Sequence, residues 1–353
     1  MENSANRRIA GELDSRQNEL VDYVLERQFE LQPGLAESYD ERQMQHCRQD
    51  VSYNLSYLTQ AIKFDSTKIF LEYTAWLNAL LNRLGLPTRD LINNFESIKQ
   101  VLSVHLDSDA YPVVATYLDP ALESLRNPDN TSSSFIEPVN PLFAQAQAFL
   151  SHILAGDRLS ASSLILQLAD EGQSIKSIYL NILQPVQREI GLLWQTGKIT
   201  VAQEHYCTSI TQLAISRLYP YIFSEHRKSK TLIATCVSGE LHEIGLRMLS
   251  DIFELEGWDT WYLGANMPVK DVIKTIRDKN PDLIAISATM TFHLNRVADL
   301  IAQIRDAEIP TPIMVGGYPF NLDAELWKEV GADAYAVDAE EALSKAENLI
   351  ANK

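Results

Sequence analysis

The stretch Val237-Ser-Gly-Glu-Leu-His-Glu-Ile-Gly245 decides how this chain reads. Before it runs Thr231-Leu-Ile-Ala-Thr-Cys-Val237, an apolar segment of strand length, and after it Leu246 to Leu255 returns to helical spacing. Strand, polar loop and helix make the unit of a doubly wound sheet, whose ligands bind where loops leave the carboxyl ends of the strands. This loop carries Glu240-x-His242-x-x-Gly245. A neutral imidazole is a good transition-metal ligand, and a carboxylate on its other nitrogen fixes the tautomer and raises its basicity. Glycine lets a ligand pass close to the backbone. Taken alone, the hexapeptide also fits an ordinary helix entry with a partly exposed histidine.

Two later segments change that balance. Ser287-Ala-Thr289 closes a predicted strand over 282–287, and Gly316-Gly317 closes another over 311–315. Further strands are expected at 231–237, 258–262 and 333–337, with helices between them and a last helix over 339–351. Such alternation requires a parallel sheet with right-handed crossovers, so the three polar elements share one sheet edge. In order and spacing they resemble the cobalamin-binding family, whose signature is Asp-x-His-x-x-Gly, then Ser-x-Leu, then Gly-Gly. Glu240 for aspartate and Thr289 for leucine are the departures. The resemblance spans residues 229–353 and implies a flavodoxin-like, five-stranded domain holding base-off, His-on cobalamin. His242 would be the lower cobalt ligand, steadied by Glu240, with Leu241, Glu243 and Ile244 in the same cofactor-binding loop. The nucleotide tail would lie beside Gly245, Ser287, Thr289, Gly316 and Gly317.

Upstream, helical spacing predicts helices near 142–155, 158–171, 174–194 and 201–223, the last opened by a Thr200-Val-Ala-Gln203 capping box. Residues 138–226 therefore read as a four-helix bundle. Trp194 ends one helix and Glu204-His205 opens the next, so a short hairpin gathers all three at one end of the bundle. In isolation this is an indole anchoring a turn beside an exposed Glu-His pair. Beside a cobalamin domain, the arrangement resembles the adenosylcobalamin-dependent photoreceptors. That resemblance implies that Trp194 caps the adenosyl group and that Glu204-His205 lies next to it. His205 would then be able to take the upper cobalt position after photolysis.

Residues 1–14 are polar and read as frayed. Helical patterns follow over 48–62, 67–84, 88–105 and 109–125, giving an N-terminal all-helical domain of globin or bundle type over 1–130. A Pro/Asn/Ser-rich linker over 127–141 ends it. Cys47-Arg-Gln-Asp50-Val-Ser-Tyr53-Asn-Leu-Ser-Tyr57-Leu and Phe70-Leu-Glu-Tyr73-Thr-Ala-Trp76 resemble the globin-like module of photocobilins, which pair cobalamin with a bilin. A bilin such as biliverdin would need aromatic walls, for which Tyr53, Tyr57, Tyr73 and Trp76 are available. Asp50 would accept from pyrrole N–H groups, and His46, Arg48 or His105 would meet a propionate. Cys47 is open to two readings, a thioether link or an inert buried thiol. The competing reading of the whole segment is a helical dimerisation domain whose aromatics only pack.

The 353 residues are 46% hydrophobic with a formal net charge of -17, which argues against a phosphate-binding surface and a nucleic-acid partner. Three scattered cysteines, no signal peptide and no apolar run of about 18 residues point to a soluble cytoplasmic protein, not a membrane one. The expected function is light sensing with adenosylcobalamin. Its output would be a homo-oligomer change or an effector protein, the chain being a regulator and no enzyme itself. The alternative is a corrinoid protein that carries methyl groups for methyltransferases. An isomerase subunit would need a substrate domain such as a (β/α)8 barrel of about 250 residues, for which no segment is left.

Overall fold

The computed structural model describes residues 2–34, 40–127, 134–223 and 227–351, without the side chains of residues 2, 3 and 351. The chain divides into two compact units, Met1–Asn130 and Thr131–Lys353.

The first unit is helical throughout its described residues: Glu2–Ser15, Gln17–Leu31, Glu41–Lys63, Thr67–Arg83, Thr88–His105 and Ala110–Arg126. The expectation that residues 1–14 fray is wrong. Ile9, Ala10 and Leu13 are fully buried, and Asn6 donates to Asp65 Oδ1 at 3.0 Å. Polar composition hid an amphipathic helix whose apolar stripe is only three residues wide. The helix expected over 48–62 starts at Glu41, because Asp40 and Gln43 form a reciprocal capping box. A buried polar ladder crosses this core. Tyr73 OH donates to Asn54 Oδ1 at 2.7 Å, Asn54 to Asn94 at 2.8 Å, and Asn94 to Gln28 at 2.8 Å.

In the second unit, helices Phe143–Leu154, Arg158–Asp170, Ile175–Gln195 and Val201–Arg217 form the bundle. The Thr200–Gln203 capping box is present, and the fourth helix stops at Arg217, short of the expected 223, before a 3-10 turn at Tyr219–Tyr221. The third helix is not uniform. Tyr179–Leu183 forms a π turn immediately before Pro185. Of the expected linker, residues 128–133 lie outside the described residues, but 134–141 do not behave as a linker. Ile136 is buried in the bundle core, and Glu189 Oε2 accepts from Ser134 Oγ at 2.9 Å and from Phe135 N at 2.8 Å.

Five parallel strands follow: β1 Thr231–Cys236, β2 Asp259–Gly264, β3 Leu283–Ser287, β4 Ile313–Gly316 and β5 Ala334–Ala336, in the order β2-β1-β3-β4-β5. This matches the expected flavodoxin-like topology. Leu232 to Cys236 are buried, as a strand covered on both faces requires. Helices Ile244–Leu255 and Ala339–Ala351 carry Leu246, Phe253, Ala342 and Ala346 into one apolar cluster with β1, β3 and β4. The outer side of these two helices meets the bundle. Met248, Ile252 and Ala339 belong to the bundle core, and Tyr179 OH donates to Asp251 Oδ2 at 2.8 Å.

Candidate functional site

Parallel register decides what meets at the sheet edge. Cys236 stands opposite Ser287, Ser287 opposite Gly316, and Gly316 opposite Ala336, so one row of residues ends four strands. The loop after β1 is braced from below. Gly239, at φ +81°, donates its N–H to Asn266 Oδ1 at 2.7 Å, and Arg296 donates to Ser238 O at 2.6 Å.

Glu240 is the hub of this loop. It is fully buried, yet both carboxylate oxygens are filled with donors. Oε1 accepts from His242 N at 3.0 Å and His242 Nδ1 at 2.6 Å. Oε2 accepts from Thr289 N at 2.8 Å, Met290 N at 3.1 Å and His293 Nδ1 at 2.9 Å. Burial opposes ionisation, but these bonds outweigh it and hold the carboxyl far below the usual carboxylate range. In return the Glu240 bond raises the His242 imidazole, against burial, with a further contribution from Glu204. An ionised Glu240 accepts the Nδ1 proton and leaves His242 Nε2 as the donor nitrogen, on a side chain that is 57% exposed. A single pre-oriented imidazole suits a metal whose remaining equatorial ligands come with a macrocycle.

The neighbouring positions divide between lining and bracing. Leu241 is exposed, as are Phe292, Tyr318 and Val337 in the segments that follow β3, β4 and β5. Gly245 is exposed, and a Cβ added there would meet nothing within 4 Å, leaving room for a ligand to pass. Ser287, Thr289, Gly316 and Gly317 are half-buried along the same edge. Glu243 instead turns to Tyr262 OH at 2.9 Å and Ala265 N at 3.0 Å, and Ile244 packs on the bundle core. Both support the loop. His293 was missed in the sequence. Its only signal is an unassigned histidine six residues beyond Ser287, and nothing in the linear pattern aims it at Glu240.

From the bundle, Trp194 is half-buried against the bundle core. Glu204 Oε2 meets His205 Nδ1 at 2.5 Å, while Glu204 Oε1 accepts from Thr208 Oγ1 at 2.9 Å. The His205 side chain is 76% exposed.

Comparison with known proteins identifies the class of cofactor. Residues 230–346 match the B12 binding domain model, and residues 145–219 match a second B12 binding domain model. The cofactor is of the cobalamin type. Dimethylamine corrinoid protein 1 of Methanosarcina acetivorans is 27% identical over 168 residues, covering 46% of this chain and 78% of that one. The protein of the same name from Methanosarcina mazei is 24% identical over 209 residues, covering 58% and 95%. The solved monomethylamine corrinoid protein of Methanosarcina barkeri superposes with a TM-score of 0.53 at 20% identity, over 59% of this chain and 99% of that one, a likeness of fold. Residues 2–125 match the phycobilisome protein model.

In the first unit, His46, Asp50, Tyr53 and Tyr57 recur along one helix at three- and four-residue intervals. Tyr57 stacks on Tyr73 with centroids 3.6 Å apart, and Trp76 lies 6.2 Å beyond. Tyr73 is part of the core, buried and bonded to Asn54, so it backs the patch without lining a slot. Arg48 is paired with Asp22, and the His105 ring stacks on Tyr23 at 4.1 Å. Burial pushes the Cys47 thiol up to about 11, which fits the inert-thiol reading better than a thioether link. Among the described residues, no helix is long and apolar enough to cross a membrane.

Proposed function

We propose that this chain is a cobalamin-based light sensor in which the second unit holds adenosylcobalamin and the first holds a linear tetrapyrrole. The observation that carries this reading is the phycobilisome match over residues 2–125 on the same chain as two B12-binding matches. A methyl carrier gives no reason for that first unit. When bound, adenosylcobalamin supplies a Co–C bond that visible light breaks. The chain's residues hold and report it. His242, its tautomer fixed by Glu240, would be the chain's ligand to the cobalt, and Trp194 would cover the adenosyl group. Glu204 holds His205 through Nδ1, so that His205 Nε2 would be available to the cobalt once the adenosyl group has left. Output would run through an oligomer change or a partner protein.

The second reading is a corrinoid carrier of methyl groups, and the relatives named corrinoid proteins favour it. Upper-ligand handling separates the two. As a sensor, the full chain with adenosylcobalamin should photolyse under visible light, and His205→Ala should change the spectrum of the photoproduct. Trp194→Ala should loosen adenosylcobalamin several-fold more than methylcobalamin. Equal losses for both cofactors, with no light-driven change in hydrodynamic radius, would make the carrier the correct reading. For the first unit, the full chain mixed with biliverdin should develop a sharpened, red-shifted band at about one bilin per chain, weakened by Tyr57→Ala or Trp76→Ala. An unchanged biliverdin spectrum would leave the segment as an interaction module.

A further inference from the structure

The third bundle helix carries a proline where a straight helix cannot accept one. Pro185 has no N–H, so the carbonyl four residues back, Asn181 O, loses its intrahelical donor. The chain widens into the π turn Tyr179–Leu183 at that point. The freed carbonyl is not left bare. Asn140 Nδ2 donates to Asn181 O at 2.7 Å, from the segment through which the chain enters this unit from residues 2–127. One turn past Pro185, Glu189 holds the same segment by Ser134 Oγ and Phe135 N. Ser134–Asn140 is thus a strap fastened to one helix at both ends, with Ile136 buried between.

That helix is fastened to the cobalamin site as well. At the π turn, Tyr179 donates to Asp251 on the helix that follows the His242 loop. At its carboxyl end stands Trp194. Between strap and helix lies a groove of about 210 Å³ lined by Phe135, Val139, Leu180, Gln184 and Arg188.

We propose that the Ser134–Asn140 strap is a coupling element that senses the position of the Pro185 helix, and hence the occupancy of the cobalamin site. The upper-ligand part of this rests on Trp194 covering the adenosyl side; the response to cobalamin itself does not. A proline-broken helix has two ways to satisfy Asn181 O, the strap amide or water, so the Asn140 end of the strap can let go without leaving that carbonyl bare. Glu189 and Asn140 touch no residue of the cofactor loops, so they can be altered without touching the site.

The test is hydrogen exchange on the full chain, apo, loaded with hydroxocobalamin, and loaded with adenosylcobalamin in the dark. The Phe135 and Ile136 amides, bonded to Glu189 and Ser134 Oγ, should exchange at least about tenfold more slowly with cobalamin than without. In Asn140→Ala and Glu189→Gln the difference should vanish while the bound-cobalamin spectrum stays unchanged. Identical exchange in apo and hydroxocobalamin-loaded wild type, with binding confirmed by absorption, overturns the coupling. So does a full response retained in Asn140→Ala. A difference between the two cobalamin forms tests the placement of Trp194 separately: if it is absent while the apo-to-loaded response persists, the upper-face reading fails and the strap stands.

Discussion

Glu240→Ala should unfold more easily than the wild type and also bind cobalamin poorly. Truncation leaves Thr289 N, Met290 N and the two imidazoles without their acceptor, the His293 ring in a fully buried position. Breaking a buried charged network of this kind costs on the order of 3–5 kcal/mol. Loss of the carboxylate behind a metal-bound histidine costs a further ~10–100-fold in affinity. His242→Ala should do the opposite. Its side chain is mostly exposed, so urea unfolding of the apo protein should move little. The cobalamin spectrum, however, should lose its His-on character, and the EPR of the cobalt(II) form should lose axial-nitrogen splitting. A His242→Ala protein with an unchanged spectrum would remove His242 as the ligand. A Glu240→Ala protein as stable as wild type would show that the five-bond hub is not what holds the loop.

Gly317→Ala should be among the most damaging single-methyl changes in the chain. At φ +105° an added Cβ would lie 2.0 Å from Ala288 O and 2.9 Å from Ala288 C, both backbone atoms that no rotamer change can move. Either β4 or the loop after β3 must shift, and that loop donates two N–H groups to Glu240. A loss of at least about 3 kcal/mol is expected, read as a lower denaturation midpoint, together with weaker cobalamin binding. Gly245→Ala is the control. With open space around the new methyl and a helical position near the start of Ile244–Leu255, stability should hold or rise by up to about 1 kcal/mol. Cobalamin affinity should still fall, because the methyl would stand where the tail is expected to pass. Equal midpoints for Gly317→Ala and wild type would refute the steric argument.

Much of the second unit was legible in one dimension. Strand and helix periods are local, so the alternation from residue 231, the capping box at Thr200 and the helix over 88–105 could be read from residue type alone. The spacing Glu240-x-His242-x-x-Gly245, with Ser287 and Gly316-Gly317 at later strand ends, fixed the sheet edge before any coordinate did. Elsewhere composition misled. A polar first helix with a narrow apolar stripe read as frayed, and a Pro/Asn/Ser-rich segment read as linker although Ile136 and Glu189 tie it down. Tyr73 looked like a pocket wall because an aromatic residue carries no mark of whether its hydroxyl is met by a buried Asn54.

Local spacing determined which residue types stand at the ends of which strands. Only the tertiary structure decided that Glu240 is also shared by His293 and the backbone N–H groups of Thr289 and Met290, because those partners come from a loop some fifty residues away whose direction is set by parallel register. The same holds for Asn140 beneath Pro185. A proline announces in sequence that a carbonyl will be orphaned, but which donor fills it depends on packing that sequence spacing does not encode.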